Sequence, residues 1–140
     1  MRARQAMLVA MLGLSGCATT MGSGSFVSVP PSIKNQQVAA NLTGLVAHAL
    51  PPAQTIVMLQ PAPGSAGKSF EDTLDAALRA RGFGVSSHAG VNVRYAVSSF
   101  DQSVLLRVWT NNEVLTRAYQ PDKAGKLVPV SPITVGRADE

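Results

Sequence analysis

The spacing of apolar residues changes three times along the chain. Ala6 to Leu14 is an almost unbroken apolar run, and a Gly-, Ser-, Thr- and Pro-rich stretch follows it from Ala18 to Ser32. Next comes a helical period. Val38, Leu42, Leu45, Val46 and Ala49 fall on one stripe, which predicts a helix over 32–50. Ser32 or Asn35 is its expected cap and Pro51-Pro52 its stop. Thr55–Leu59 reads as a β-branched strand, and Pro61–Gly67 as a loop. A second helix is expected to open at Ser69, with Asp72 completing a capping box, and to end at Gly82. Phe70, Leu74, Ala77 and Leu78 share one side of it.

From Phe83 the period becomes two. Phe83 and Val85 begin a short strand, and three alternating runs follow: Val91 to Val97, Val104 to Val108, and Leu115 to Tyr119. Asp101-Gln102 and Asn111-Asn112 are turn dipeptides between them. If both are turns, Val97 faces Leu106, Tyr95 faces Val108, Val108 faces Leu115 and Val104 faces Tyr119. One sheet face then collects Val91, Val93, Tyr95, Val97, Val104, Leu106, Val108, Leu115 and Tyr119. A one-residue slip would scatter that set over both faces, so the two turns check one another. The helix from Ser69 is expected to cover this face. The opposite face carries Arg94, Ala96, Arg107, Trp109, Val114 and Thr116, with Arg94 placed across from Trp109 at cation–π distance. That face reads either as solvated, as covered by the first helix, or as a protein-docking surface in which Arg94, Arg107 and Trp109 bind a partner. Leu127–Val135 is apolar but holds Pro129 and Pro132, which cannot donate to a ladder; it is an edge strand or an extended arm.

These elements predict an α+β fold: a small, mostly antiparallel sheet with one helix packed on one face, an N-terminal helix, and a flexible lipidated tether. Residues 1–16 read as a signal peptide, 17–32 as the tether, and 33–140 as a single domain with its core at about 54–120. The N-terminus supplies the chemistry behind the word lipidated. Arg2 and Arg4 precede the apolar run, which is too short for a permanent span of roughly 20 residues. Leu14-Ser15-Gly16-Cys17 closes it and looks like a bacterial lipobox, in which the cysteine is acylated and cleavage falls just before it. Two or more buried acyl chains, at about 0.8 kcal/mol per methylene, make such anchoring stable. Cys17 is the only cysteine, so no internal disulfide forms.

Composition narrows the function further. Hydrophobic residues are 46% and charged residues 14%, which suits a globular domain. The net charge of +4 falls to +2 without Arg2 and Arg4, too little for a nucleic-acid footprint. Ala62 to Ser69 ends in Gly-Lys-Ser and joins a strand to a helix as a phosphate-binding loop does. Its first glycine is replaced by Ala62, and antiparallel hairpins follow where a parallel sheet is needed. His48 and His88 are distant in sequence and lack neighbouring ligands, and Glu71, Asp72 and Asp75 suit a helix start better than acid–base catalysis. No enzyme, cofactor or metal site is expected.

The lipobox, the Pro30-Pro31 tether, Leu78-Arg79-Ala80-Arg81-Gly82-Phe83, and Leu105-Leu106-Arg107-Val108 followed by Leu115-Thr116-Arg117-Ala118-Tyr119 together resemble the TrbH lipoproteins of conjugative-transfer systems. The resemblance implies an assembly component of mating-pair formation in a type IV secretion complex, with other core-complex subunits as partners. It carries over no catalytic residue and only the acylated Cys17. Ala18 is not the aspartate that retains such proteins in the inner membrane, which points to the outer membrane, the domain facing the periplasm. The alternative is a periplasmic ligand-binding or surface lipoprotein with no channel role. The architecture also resembles small α+β modules of secretins, which says little about partners.

Overall fold

A computed structural model describes residues 24–138 of the chain. Its centre is a three-strand antiparallel meander: β4 (Val91–Phe100), β5 (Ser103–Trp109) and β6 (Glu113–Pro121). The register follows the hydrophobic pattern. Val97 pairs with Leu106, Tyr95 with Val108, Val108 with Leu115, and Val104 with Tyr119. Asp101, at φ 52°, turns the first hairpin.

Each outer edge of the meander is shared by two short strands. Along β4 lie β2 (Ile56–Leu59) and then β1 (Phe26–Val27), both parallel to it. Beyond β2 is β3 (Gly84–Val85). Along β6 lie β8 (Thr134–Arg137) and β7 (Leu127–Pro129), both antiparallel. At each junction a serine hydroxyl fills a gap in the ladder. Ser25 Oγ accepts from the Tyr95 backbone N–H between β2 and β1, and Ser131 Oγ accepts from the Ala118 N–H between β7 and β8. The result is an eight-stranded mixed sheet in an α+β fold. Three of the seven pairings are parallel, so "mostly antiparallel" understates the part played by the chain's first half. Leu127–Val135 stays on its own sheet as the edge pair β7 and β8, with the prolines at and between them.

Helix α1 (Asn35–Ala49) lies over β5 and β6, and α2 (Gly64–Arg81) lies beside it against β1 and β3. Both therefore cover one sheet face, where a single helix was expected. Val38, Ala39, Leu42, Leu45 and Val46 of α1 and Phe70, Leu74 and Leu78 of α2 meet the predicted set of strand residues. Each Val, Leu or Phe side chain among them, fully buried, contributes about 1.5–3 kcal/mol. The core begins at Ile33 and reaches Leu127, wider than the 54–120 expected. Gln37 ties α1 to the β6–β7 turn: its Oε1 accepts from Leu127 N and its Nε2 donates to Gly125 O.

Two boundaries differ from expectation. Neither Ser32 nor Asn35 caps α1; Lys34 holds that position without a side-chain bond. Helix α2 starts five residues before Ser69, at Gly64, so the Ser69–Asp72 capping box does not form. Gly67 allows the early start. A Cβ there would lie 2.6 Å from the Ala62 carbonyl oxygen. Asp72 and Asp75 thus stand beyond the first turn and pair at i,i+4 spacing with Lys68 and Arg79. Gly82 ends the helix in the left-handed region, φ 108°, as predicted. Finally, residues 24–32 of the expected tether enter the fold: Ser25 is buried, Phe26–Val27 form β1, and Val29 packs on the core.

Candidate binding face

Strand alternation places Arg94, Ala96 and Ser98 of β4 opposite Trp109, Arg107 and Leu105 of β5, on the face away from both helices. Trp109 ends β5 and pairs onward with Val114 of β6. The Arg94 guanidinium carbon lies 3.9 Å from the centroid of the Trp109 ring, and that of Arg107 lies 5.7 Å from it. Arg107 also donates from Nε to Thr116 Oγ1, 3.4 Å away on β6. The sequence-derived trio is therefore brought together. Two cations thus lie within cation–π range of one indole.

The site extends further than the trio. Phe26 of β1 pairs with Ala96, so its ring joins the same face, where it is 52% exposed. Gly24, Phe26, Arg94, Ala96, Ser98, Arg107 and Trp109 line a depression of about 390 Å³. Phe100, at the far end of β4, is also exposed on this side. Among the described residues, the β4, β5 and β6 positions that point to this face include no Asp or Glu. The acidic residues Glu71, Asp72 and Asp75 lie on α2, across the sheet. The uncovered face is thus basic and aromatic.

Phe26 was not legible as part of the site. A two-residue strand inside a Gly-, Ser- and Pro-rich stretch carries too short an alternation to stand out. Its only signal in the sequence is the apolar trio Phe26, Val27 and Val29 within that stretch.

The other candidates fall apart spatially. His48 is exposed on the last turn of α1, and His88 is exposed after β3. Among the described residues no group of three His, Cys, Asp or Glu lies close enough to hold a metal ion. The phosphate-loop-like stretch is folded into the start of α2, with Gly67 packed on Ala62. Leu14, Ser15, Gly16 and Cys17 lie outside the described residues. Among the described residues no helix is long and apolar enough to cross a membrane.

On the covered side, Tyr95 lies at 0% exposure with its ring 5.7 Å from that of Phe70. Burial pushes its phenol well above the ordinary value, and the charge of Glu71 adds to the rise. The Ser25 hydroxyl nearby opposes that rise, but among the described residues no group lies within hydrogen-bonding geometry of the Tyr95 hydroxyl. Burial raises the Tyr119 phenol too, against the opposing charge of Arg117.

No curated protein and no solved structure matches the chain. The sequence profile described as conjugal transfer protein TrbH matches residues 20–139. That span takes in every described element, from β1 to β8, and leaves out the stretch around Cys17. By this match the chain belongs to the TrbH family of conjugal transfer proteins.

Proposed function

We propose that the protein is an outer-membrane lipoprotein with an assembly role in a conjugative type IV secretion complex, held by acyl chains on Cys17. Membership of the family makes it a conjugal-transfer component, in a family of structural rather than known catalytic proteins. The Leu14-Ser15-Gly16-Cys17 string after a short apolar run supports the lipid anchor, and Ala18 supports outer-membrane sorting. The domain follows directly and faces the periplasm among other subunits of the complex. Its uncovered sheet face, centred on Arg94, Arg107 and Trp109, is a binding surface that orients the domain within the assembly.

The observation that carries this reading is the pairing of that face with the family match. A sheet covered by helices on one side only leaves Phe26 and Phe100 exposed on the other, beside Arg94, Arg107 and Trp109, and aromatic and arginine residues of this kind are enriched at binding surfaces.

The test combines labelled palmitate, membrane fractionation and transfer frequency. Wild-type protein is expected to carry label and to float with outer membranes. The variant C17S is expected to lose the label, to leave the membrane fraction, and to lower plasmid transfer at least tenfold. Wild-type protein free of label in the periplasm, or normal transfer in a deletion strain, ends this reading.

A further inference from the structure

We infer that the uncovered face around Trp109 rests on anionic lipid headgroups, so that the bilayer itself is its partner. This deepens the binding-surface reading and rests on Cys17 being the anchor.

The chain length outside the structure selects the occupant. Cys17 precedes Gly24 by seven positions. At about 3.3–3.6 Å per residue, the link spans at most about 25 Å even when fully extended. Gly24 itself lines the Phe26–Arg94–Trp109 depression. The chain is held at that point, because Ser25 N donates to Pro61 O, and Ser25 Oγ donates to Gln60 O and accepts from Tyr95 N. The tether therefore leaves the domain beside Arg94, and that corner cannot move far from the acyl chains. A protein partner on this face would have to fit between the domain and the membrane to which it is tied.

The chemistry of the corner suits the headgroup layer. Trp109 and Phe26 provide flat apolar bodies, and indole rings concentrate at the membrane–water boundary. The guanidinium carbons of Arg94 and Arg107 lie 3.9 and 5.7 Å from the indole centroid, which gathers two phosphate-binding groups at this corner. Among the described residues, the central-strand positions of this face carry no carboxylate that would repel an anionic surface. Each arginine close to an anionic bilayer favours the bound orientation by roughly fivefold, provided it comes within a Debye length of about 8–10 Å. Seating this corner meets that condition, whereas an upended domain does not.

Trp109 is the chain's only tryptophan, so its fluorescence reports this face alone. The test uses the full chain, purified from bacterial membranes and reconstituted into phosphatidylethanolamine vesicles with or without phosphatidylglycerol. Mass spectrometry of the Cys17 peptide reads the anchor in the same sample. With Cys17 acylated, nitroxide lipids labelled near the headgroup are expected to quench Trp109 at least threefold more with phosphatidylglycerol than without it. The double variant R94Q/R107Q is expected to bring that ratio close to one, with its circular dichroism unchanged. Acylated protein whose Trp109 ignores the labelled lipid and stays open to acrylamide overturns the inference and leaves the anchor standing. Trp109 shielded only when another transfer-system subunit is added assigns the face to that subunit and overturns it equally. An unmodified Cys17 removes the anchor, and the inference falls with it.

Discussion

Arg94 and Tyr95 are neighbours on β4, yet they belong to different halves of the molecule. Tyr95 points under α2 and meets Phe70, whereas Arg94 points the other way and lies over Trp109. The same division runs through the whole meander. On the helix side Val93, Val97, Val104, Leu106, Val108 and Leu115 are all at most 1% exposed. On the other side Arg107 and Phe100 are exposed, and Leu105 and Trp109 only half-buried. The covered face is where folding energy is collected, because apolar area leaves water there. The uncovered face buries less apolar area, so less of its stability comes from that burial.

The largest test of that division compares adjacent residues of β5. Leu106→Ala opens a cavity under α1 and is expected to cost about 2–5 kcal/mol, read by urea denaturation. Leu105→Ala, one position away on the uncovered face, is expected to cost under about 1 kcal/mol. Equal losses would mean that the uncovered face is also part of the folding core. The next effect concerns polar groups. Ser25→Ala leaves the buried Tyr95 N–H without an acceptor and is expected to cost about 1–3 kcal/mol. Ser131→Ala does the same to the Ala118 N–H at a more accessible edge, where water can substitute, and is expected to cost less than about 1 kcal/mol.

A third effect has the opposite sign. Among the described residues the buried Tyr95 hydroxyl has no hydrogen-bond partner, so Tyr95→Phe is expected to raise stability by about 1 kcal/mol at neutral pH. It also alters the alkaline limb. The folded phenol titrates above the unfolded one, which lies near 10. Above about pH 10 the unfolded chain therefore holds fewer protons than the folded one, and stability falls as pH rises. Each raised tyrosine contributes up to about 1.4 kcal/mol per pH unit. Wild type is expected to lose stability steeply above pH 10 through Tyr95 and Tyr119. Tyr95→Phe should make that slope shallower and leave the part due to Tyr119.

The covered face was legible because its signal is redundant. Asp101-Gln102 and Asn111-Asn112 each fix a register, and the two registers agree on one apolar set. The rest was hidden for local reasons. Helix α2 begins at Gly64 because Gly67 packs against the Ala62 carbonyl, a contact between residues that composition marks only as loop. The parallel strands β1 and β2 join β4 from far away in sequence, and no turn dipeptide announces such a pairing. Ser25 and Ser131 look like ordinary linker serines until the ladder shows the N–H that each one satisfies. Of the binding face, Arg94, Arg107 and Trp109 were readable from strand parity. Phe26 and Gly24 were not, since their place depends on β1.

The smallest expected effect is the most informative about the uncovered face. A double-mutant cycle on Arg94→Met and Trp109→Phe isolates the stacking of one on the other. In the detergent-free, water-exposed state a guanidinium over an indole is worth about 0.5–1 kcal/mol, and Phe retains part of it, so a coupling near 0.5 kcal/mol is expected. Desolvation raises such contacts to about 2 kcal/mol or more. Repeating the cycle with the acylated protein in anionic vesicles therefore asks whether water has left this face. A coupling that grows severalfold means that something covers Arg94 and Trp109 in the membrane-bound state. An unchanged coupling means that the two faces differ only in the helices they carry, and that the basic, aromatic side stays in solvent.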